Sequence, residues 1–184
     1  LVKYIAAKLI DKGYRPGIVS RGYGGNFKET LRVNENTSVK ETGDEAQILA
    51  KLNIPFYIDK NRVRAVKKLI DNHDCDVIIS DDGLQHYKMG RDIEINVIDG
   101  KRRLGNNLTF PAGPLRESKA RLKTVDFIIN NSGPTEDGEY LMNITPSKFV
   151  HLKSGKSYSV EDWPMHKQVH AVAGLGNPGR FFDL

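Results

Sequence analysis

The chain has 184 residues, of which 39% are hydrophobic and 28% charged, a composition ordinary for a soluble globular protein that argues against disorder and fits one α/β domain with room for part of another. It contains no apolar run of the roughly 18 residues a membrane helix needs, and its lone cysteine, Cys75, excludes an internal disulfide and fits a reducing compartment. The net charge of +5 favours anionic partners such as a nucleotide, a phospholipid surface or nucleic acid, but no Lys/Arg block alternates with aromatics, so a dedicated nucleic-acid module is the weaker reading.

Val2, Ile5, Ala6, Leu9 and Ile10 recur at helical spacing and predict a helix over 1–12, closed by Gly13. A short strand, Pro16 to Ser20, runs into the glycine-rich loop Arg21-Gly22-Tyr23-Gly24-Gly25. Its backbone N–H groups could approach an anion, with Arg21 adding charge; an ordinary turn with a surface arginine fits as well. Thr42-Gly43-Asp44-Glu45 opens a second helix. Asp44 there is either a helix cap or a general base for a hydroxyl nucleophile. A strand over 54–58 and a helix from Arg62 to Asn72 come next, the helix with Val63, Val66, Leu69 and Ile70 on one side.

Val77-Ile78-Ile79 then leads directly into Asp81-Asp82-Gly83-Leu84-Gln85-His86-Tyr87. The apolar run predicts a strand buried on both faces, as in a parallel sheet. Ligands of open α/β sheets bind beyond the carboxyl ends of strands, so two carboxylates there suit Mg²⁺ bridging phosphates, the form of a Walker B element. A solvated Asp-Asp-Gly turn is the alternative. Further strands are predicted at 93–98 and 125–130, with a short helix at 119–123 between them. The proline-stiffened loop Pro111-Ala112-Gly113-Pro114-Leu115-Arg116-Glu117 presents an arginine able to clamp phosphate, or else an Arg–Glu surface pair.

From about Phe149 the texture changes. Residues 149–152 and 156–160 flank Ser154-Gly155, a hairpin signal, and Trp163-Pro164 breaks the pattern after it. Gln168 to Ala173 reads as a new buried strand, and Gly174 to Gly179 has the spacing G-x-G-x-x-G, a weak dinucleotide signal in this setting. His73, His151, His166 and His170 have no metal-ligand spacing; His86 differs because it adjoins the carboxylate pair. Strands alternating with helices predict an α/β fold with a mostly parallel sheet. The predicted domains are a core over 1–147, a β-hairpin linker over 148–167 and the start of a second α/β domain over 168–184.

The strings RGYGG, TGDE, DDGLQHY, RDIEINVIDG, FPAGPLRES and AVAGLGNPGRFF, in that order, resemble the tetraacyldisaccharide 4′-kinase family, the lipid A 4′-kinases, from Gly13 to Phe182. The resemblance implies a three-layer α/β/α P-loop-kinase-like core and transfer of the ATP γ-phosphoryl group to the 4′-hydroxyl of a tetraacylated glucosamine disaccharide 1-phosphate. By resemblance, Asp81 and Asp82 hold Mg²⁺, Asp44 is the catalytic base, and His86 and Gln85 belong to the same active-site motif. Arg116 and Glu117 match the family's active-site pair, Arg21 and Arg62 lie on the nucleotide side, and Arg64 lies close enough to make the Arg62 match a loose one.

The resemblance further implies a peripheral enzyme on the cytoplasmic face of the bacterial inner membrane, with no nucleic acid and no obligate protein partner. The family's Walker A loop, G-x-x-x-x-G-K-[ST], its apolar N-terminal segment and its downstream histidine do not occur in these residues. Both ends of the chain therefore read as cut, and these residues alone are expected to be inactive. A basic domain that binds anionic lipid or nucleic acid without catalysis is the rival reading.

Overall fold

The computed structural model describes residues 1–162, 170–174 and 178–182. They fall into two compact units, Leu1–Asp92 and Ile93–Leu184.

The first unit is built on a four-stranded sheet in the order β2-β3-β1-β4, from β1 (Pro16–Ser20), β2 (Leu31–Arg32), β3 (Phe56–Ile58) and β4 (Val77–Ser80). β1 pairs in parallel with both β3 and β4, and β2 lies antiparallel on β3. Successive residues of β1 serve opposite faces, as the pleat requires. Ile18 packs with Val33, Leu49, Phe56 and Ile58 beneath α3 (Asp44–Ala50), with Val2 of α1 (Val2–Asp11) against the same cluster. Val19 and Tyr57 pack on the other face with Ala65 and Leu69 of α4 (Arg62–Asn72). Helices thus cover both faces, giving the expected three layers. Each fully buried Phe56, Ile18, Ile58 or Leu69 contributes about 1.5–3 kcal/mol of transfer free energy.

Two details of this unit depart from expectation. β4 is the edge strand of its sheet and only partly buried, not enclosed on both faces. The inward stripe of α4 is Arg62, Ala65 and Leu69, while Val63 and Ile70 are exposed. The helix is rotated because Leu69 seats on Gly17, where a Cβ would come within 2.7 Å of its side chain. That rotation turns a charged residue, Arg62, toward the protein.

The second unit carries a parallel sheet, β5-β6-β7, made of β5 (Ile95–Asp99), β6 (Phe127–Asn131) and β7 (Glu139–Met142). A 3₁₀ turn, Lys119–Lys123, precedes β6, and β8 (Lys148–Val150) pairs with β9 (Ser157–Ser159) in the expected hairpin. β2, β7, α2 (Val39–Thr42) and the short α5 (Gly179–Phe182) were not foreseen from the sequence. Residues 170–173 form no strand, whereas Trp163, Pro164, His166, Gln168, Val169 and the centre of the G-x-G-x-x-G string lie outside the described residues. No helix among the described residues is long and apolar enough to cross a membrane.

The sheet of the second unit is tied to the segment after β5 by Glu139. Its carboxylate accepts from Arg103 Nη1 and Nη2 at 2.9 and 2.7 Å, and from Asn130 Nδ2 at 2.9 Å. These bonds, led by Arg103, hold the Glu139 carboxyl down at about 2 although burial opposes them. Because the folded value lies below the unfolded one, the stabilisation is complete above the ordinary glutamate range and is lost as pH falls from about 4.5 toward 2. Glu139→Gln is expected to cost about 2 kcal/mol at pH 7, the scale of lost hydrogen bonds to a charged group. Chemical denaturation at pH 7 and again at a pH below about 2 measures it; the difference between variant and wild type should shrink steadily below pH 4.5 and vanish only once pH has passed below the folded value of about 2.

Candidate functional site

Three parallel strands of the first unit end level with one another. The N–H of Asp59, after β3, donates to the Ser20 carbonyl at 3.0 Å, and the N–H of Asp81, after β4, donates to the Val19 carbonyl at 2.9 Å. Ser20-Arg21, Asp59-Lys60 and Asp81-Asp82 are therefore gathered at one edge, the position where open α/β sheets bind ligands. The Ser20 hydroxyl reaches Asp81 Oδ2 at 3.5 Å.

The turn after β4 is pinned by two arginines. Arg62 Nη2 donates to the carbonyls of Asp81 and Asp82 at 3.2 and 3.0 Å. Arg91 Nη1 donates to those of Gly83 and Leu84 at 3.2 and 2.8 Å. Four consecutive carbonyls are thus held by guanidinium groups, which fixes where the side chains of this turn project. Asp82 takes a left-handed conformation, φ 46°, which costs most residues more than it costs aspartate. Gly83 follows because a Cβ there would lie 2.4 Å from Ser80 Oγ.

Charge in this cluster is poorly solvated. Burial, and then the adjacent Asp82 carboxylate, push the Asp81 carboxyl above its usual range, against the pull of Arg62 and the Ser20 hydroxyl. Burial also lowers Arg62, helped by the like charge of Arg21 and opposed by Asp82 and Asp81. Arg62 is 4% exposed, and its buried Nε has no hydrogen-bond partner among the described residues. His86 Nε2 is in the same condition. Burial and the nearby cations Arg62, Lys88 and Arg91 keep the His86 ring below the usual histidine value, hence neutral at pH 7. An anionic ligand beside these groups would relieve the positive charge of Arg62 and meet its unpartnered Nε donor.

Asp44 is seated by backbone. It opens α3 after Gly43, whose φ is 82° and whose added Cβ would lie 2.1 Å from the Tyr23 carbonyl. An added Cβ on Gly25 would lie 2.3 Å from the Glu41 carbonyl. The RGYGG and TGDE loops therefore rest directly on each other, main chain against main chain. The Glu45 N–H donates to Asp44 Oδ1 at 3.0 Å, and the buried Thr42 hydroxyl closes the turn onto the Ser38 and Gly43 carbonyls.

Arg21 and Gln85 are exposed at the same end of the unit. Arg116 and Glu117 belong to the second unit, in a loop closed by the Phe110 N–H on the Leu115 carbonyl at 2.8 Å; Arg116 is exposed and Glu117 pairs with Arg121 at 3.3 Å. Sequence reasoning left Arg62 and Arg64 unresolved. In the structure Arg64 grips Asp59 with Nε at 2.6 Å and Nη2 at 2.9 Å, while Arg62 faces the Asp81-Asp82 turn. Ser20, Asp59 and Arg91 were missed. Ile58-Asp59 repeats the apolar-strand-then-carboxylate pattern that marked Asp81, and could have been found by it. Among the described residues no three His, Cys, Asp or Glu side chains converge on one point.

The sequence pattern of the family described as tetraacyldisaccharide-1-P 4′-kinase matches residues 1–184. The chain belongs to that family. It is 46% identical over its whole length to the tetraacyldisaccharide 4′-kinase of Pseudoalteromonas atlantica and 49% identical to that of Ruthia magnifica, covering 61% and 58% of those proteins. It also superposes on the crystal structure of the family member LpxK from Aquifex aeolicus in complex with ATP, with a TM-score of 0.76 at 28% identity, over 99% of this chain and 60% of that one. The α/β kinase fold expected from sequence is thereby shared with a solved family member, and the chain spans little more than half the length of its relatives.

The uncomfortable carboxylate yields a test. The folded value of Asp81 lies above the unfolded one, so its ionisation costs stability at neutral pH, and the cost fades as pH falls through the folded value. Asp81→Asn should raise the thermal midpoint at pH 7 and leave it unchanged in acid. A lowered midpoint at pH 7 would mean that Arg62 and Ser20 more than offset the burial.

Proposed function

We propose that this chain forms the phosphate- and acceptor-facing part of a kinase that transfers the γ-phosphoryl group of Mg·ATP to the 4′-hydroxyl of a tetraacyldisaccharide 1-phosphate. The observation that carries this is the gathering of Asp81, Asp82 and the unsatisfied Arg62 at the carboxyl ends of parallel strands, in a chain matched throughout by that family.

The residues present fit the group. Asp81 and Asp82 are adjacent hard ligands for Mg²⁺. Arg62 Nε, a donor, and His86 Nε2, a donor or an acceptor according to its tautomer, are buried without a partner among the described residues. Bound Mg·ATP would supply the phosphoryl donor together with the cation that neutralises its charge. Everything else falls to the protein. Arg62 and Arg21 add positive charge near the Asp81-Asp82 turn, where negative charge spreads during transfer. Asp44, seated through Gly43, accepts the proton of the attacking hydroxyl. His86, neutral at pH 7, provides a polar ring atom without adding charge. Gln85 lies in the same turn, and Arg116 with Glu117, by resemblance to the family, serves the phosphates.

The domain division proposed is a kinase core over 1–147, a linker over 148–167 and the beginning of a second α/β domain over 168–184. The cytoplasmic face of the inner membrane is the proposed location. A net charge of +5 supports peripheral attraction to an anionic leaflet, and the acceptor is itself a lipid.

Asp44→Asn in the full-length protein should lower kcat by roughly 10²–10⁴-fold, the span of general-base contributions, while KM for Mg·ATP stays near wild type. Steady-state kinetics with the disaccharide acceptor measures both, and wild-type turnover would remove Asp44 as the base. The 184 residues alone, which contain no G-x-x-x-x-G-K-[ST] string, should show no transfer.

A further inference from the structure

Asp59 is a fully engaged carboxylate at the ligand edge of the first unit and has no part in the chemistry above. It is 1% exposed. Oδ1 accepts from the Asn61 N–H at 2.8 Å and from Arg64 Nη2 at 2.9 Å. Oδ2 accepts from Arg64 Nε at 2.6 Å and from the Thr30 hydroxyl. Burial pushes its carboxyl up, but these bonds together outweigh that and leave it below the usual aspartate value. With four donors engaged and no solvent access, it is neither a metal ligand nor a proton acceptor for substrate.

Its partners enclose one residue. Asn61 precedes Arg62 and Arg64 lies two beyond it, so the carboxylate grips the chain on both sides of Arg62. The Asp59 N–H is meanwhile bonded to the Ser20 carbonyl, which ties the grip to the central strand. Arg62 itself stands on the inward stripe of α4 with Ala65 and Leu69, and its guanidinium is anchored on the Asp81 and Asp82 carbonyls. The first turn of α4 must be fixed in rotation for the guanidinium to reach both carbonyls, and hydrogen bonds from Arg64 in fork geometry supply that fixation.

We propose that Asp59, through Arg64 and the Asn61 N–H, is a positioning residue that holds Arg62 against the Asp81-Asp82 turn and so tunes the grip on nucleotide phosphate. This rests on the functional reading of Arg62 given above. The experiment separates the two. In the full-length protein, Arg62→Ala should raise KM for Mg·ATP roughly tenfold, about what a lost charge-assisted hydrogen bond represents. An unchanged KM overturns the reading of Arg62, not the positioning. Asp59→Asn should raise the same KM roughly three- to tenfold, a partial loss of that bond, and leave KM for the lipid acceptor unchanged. In an Arg62→Ala background it should add nothing.

An equal, additive loss in both backgrounds would assign Asp59 a general structural role and overturn the proposal. Arg64→Lys, at an exposed helix position that keeps the charge but not the fork, repeats the test if Asp59→Asn does not fold. A crystal structure of either variant gives a readout independent of activity. Arg62 displaced from the two carbonyls supports the proposal, and Arg62 unmoved overturns it.

Discussion

A strand that ends in two carboxylates has to leave the sheet, and the way it leaves determines the geometry of this ligand edge. After Ser80 the backbone turns through a left-handed Asp82, and the carbonyls of four successive residues are met by side chains instead of a neighbouring strand. A buried carbonyl without a donor costs as much as a lost hydrogen bond. Two guanidinium groups meet that demand, Arg62 from the start of α4 and Arg91 from just beyond the turn. The same contacts bring positive charge under the carboxylates. One arrangement satisfies the backbone carbonyls and sets positive charge beside the two carboxylates, so replacing either arginine would disturb both.

The rest of the first unit can be understood as support for that turn. Parallel pairing of β1 with β3 and β4 makes three chain ends level, and the double-sided core of Ile18, Phe56 and Ile58 on one face and Val19, Ala65 and Leu69 on the other fixes α3 and α4 against the two faces of the sheet. Small residues decide the details. Ala65 and Gly17 let α4 lie close enough for Leu69 to fill the gap, and the resulting rotation buries an arginine rather than a valine. The packing thereby places the Arg62 guanidinium in a poorly solvated position, where its bonds to the turn are electrostatically stronger than they would be in water.

Much of this was legible in the amino-acid order. The strand leading into Asp81, the glycine loop after β1 and the helix opening at Asp44 all follow from local pattern, because runs of Val and Ile, paired glycines and helix-start carboxylates have few alternative uses. The face of α4 was misread because hydrophobicity points to Val63 and Ile70, whereas the seating of Leu69 on Gly17 turns Arg62 and Ala65 inward instead. The choice between Arg62 and Arg64 was invisible for a related reason: it depends on which side of one helical turn meets Asp59, a residue separated from neither by more than five positions. The edge position of β4 and the short strands β2 and β7 depend on pairing partners distant in sequence, which no local window contains.

The seam between the RGYGG and TGDE loops is made of main chain on both sides. Asp44 is therefore aimed by atoms that every amino acid possesses, provided positions 25 and 43 stay glycine. The Tyr23 side chain, 77% exposed, leaves its carbonyl to make that seam. A substitution at position 23 would therefore reshape what the loop presents to solvent while the carboxylate one loop away keeps the same backbone support.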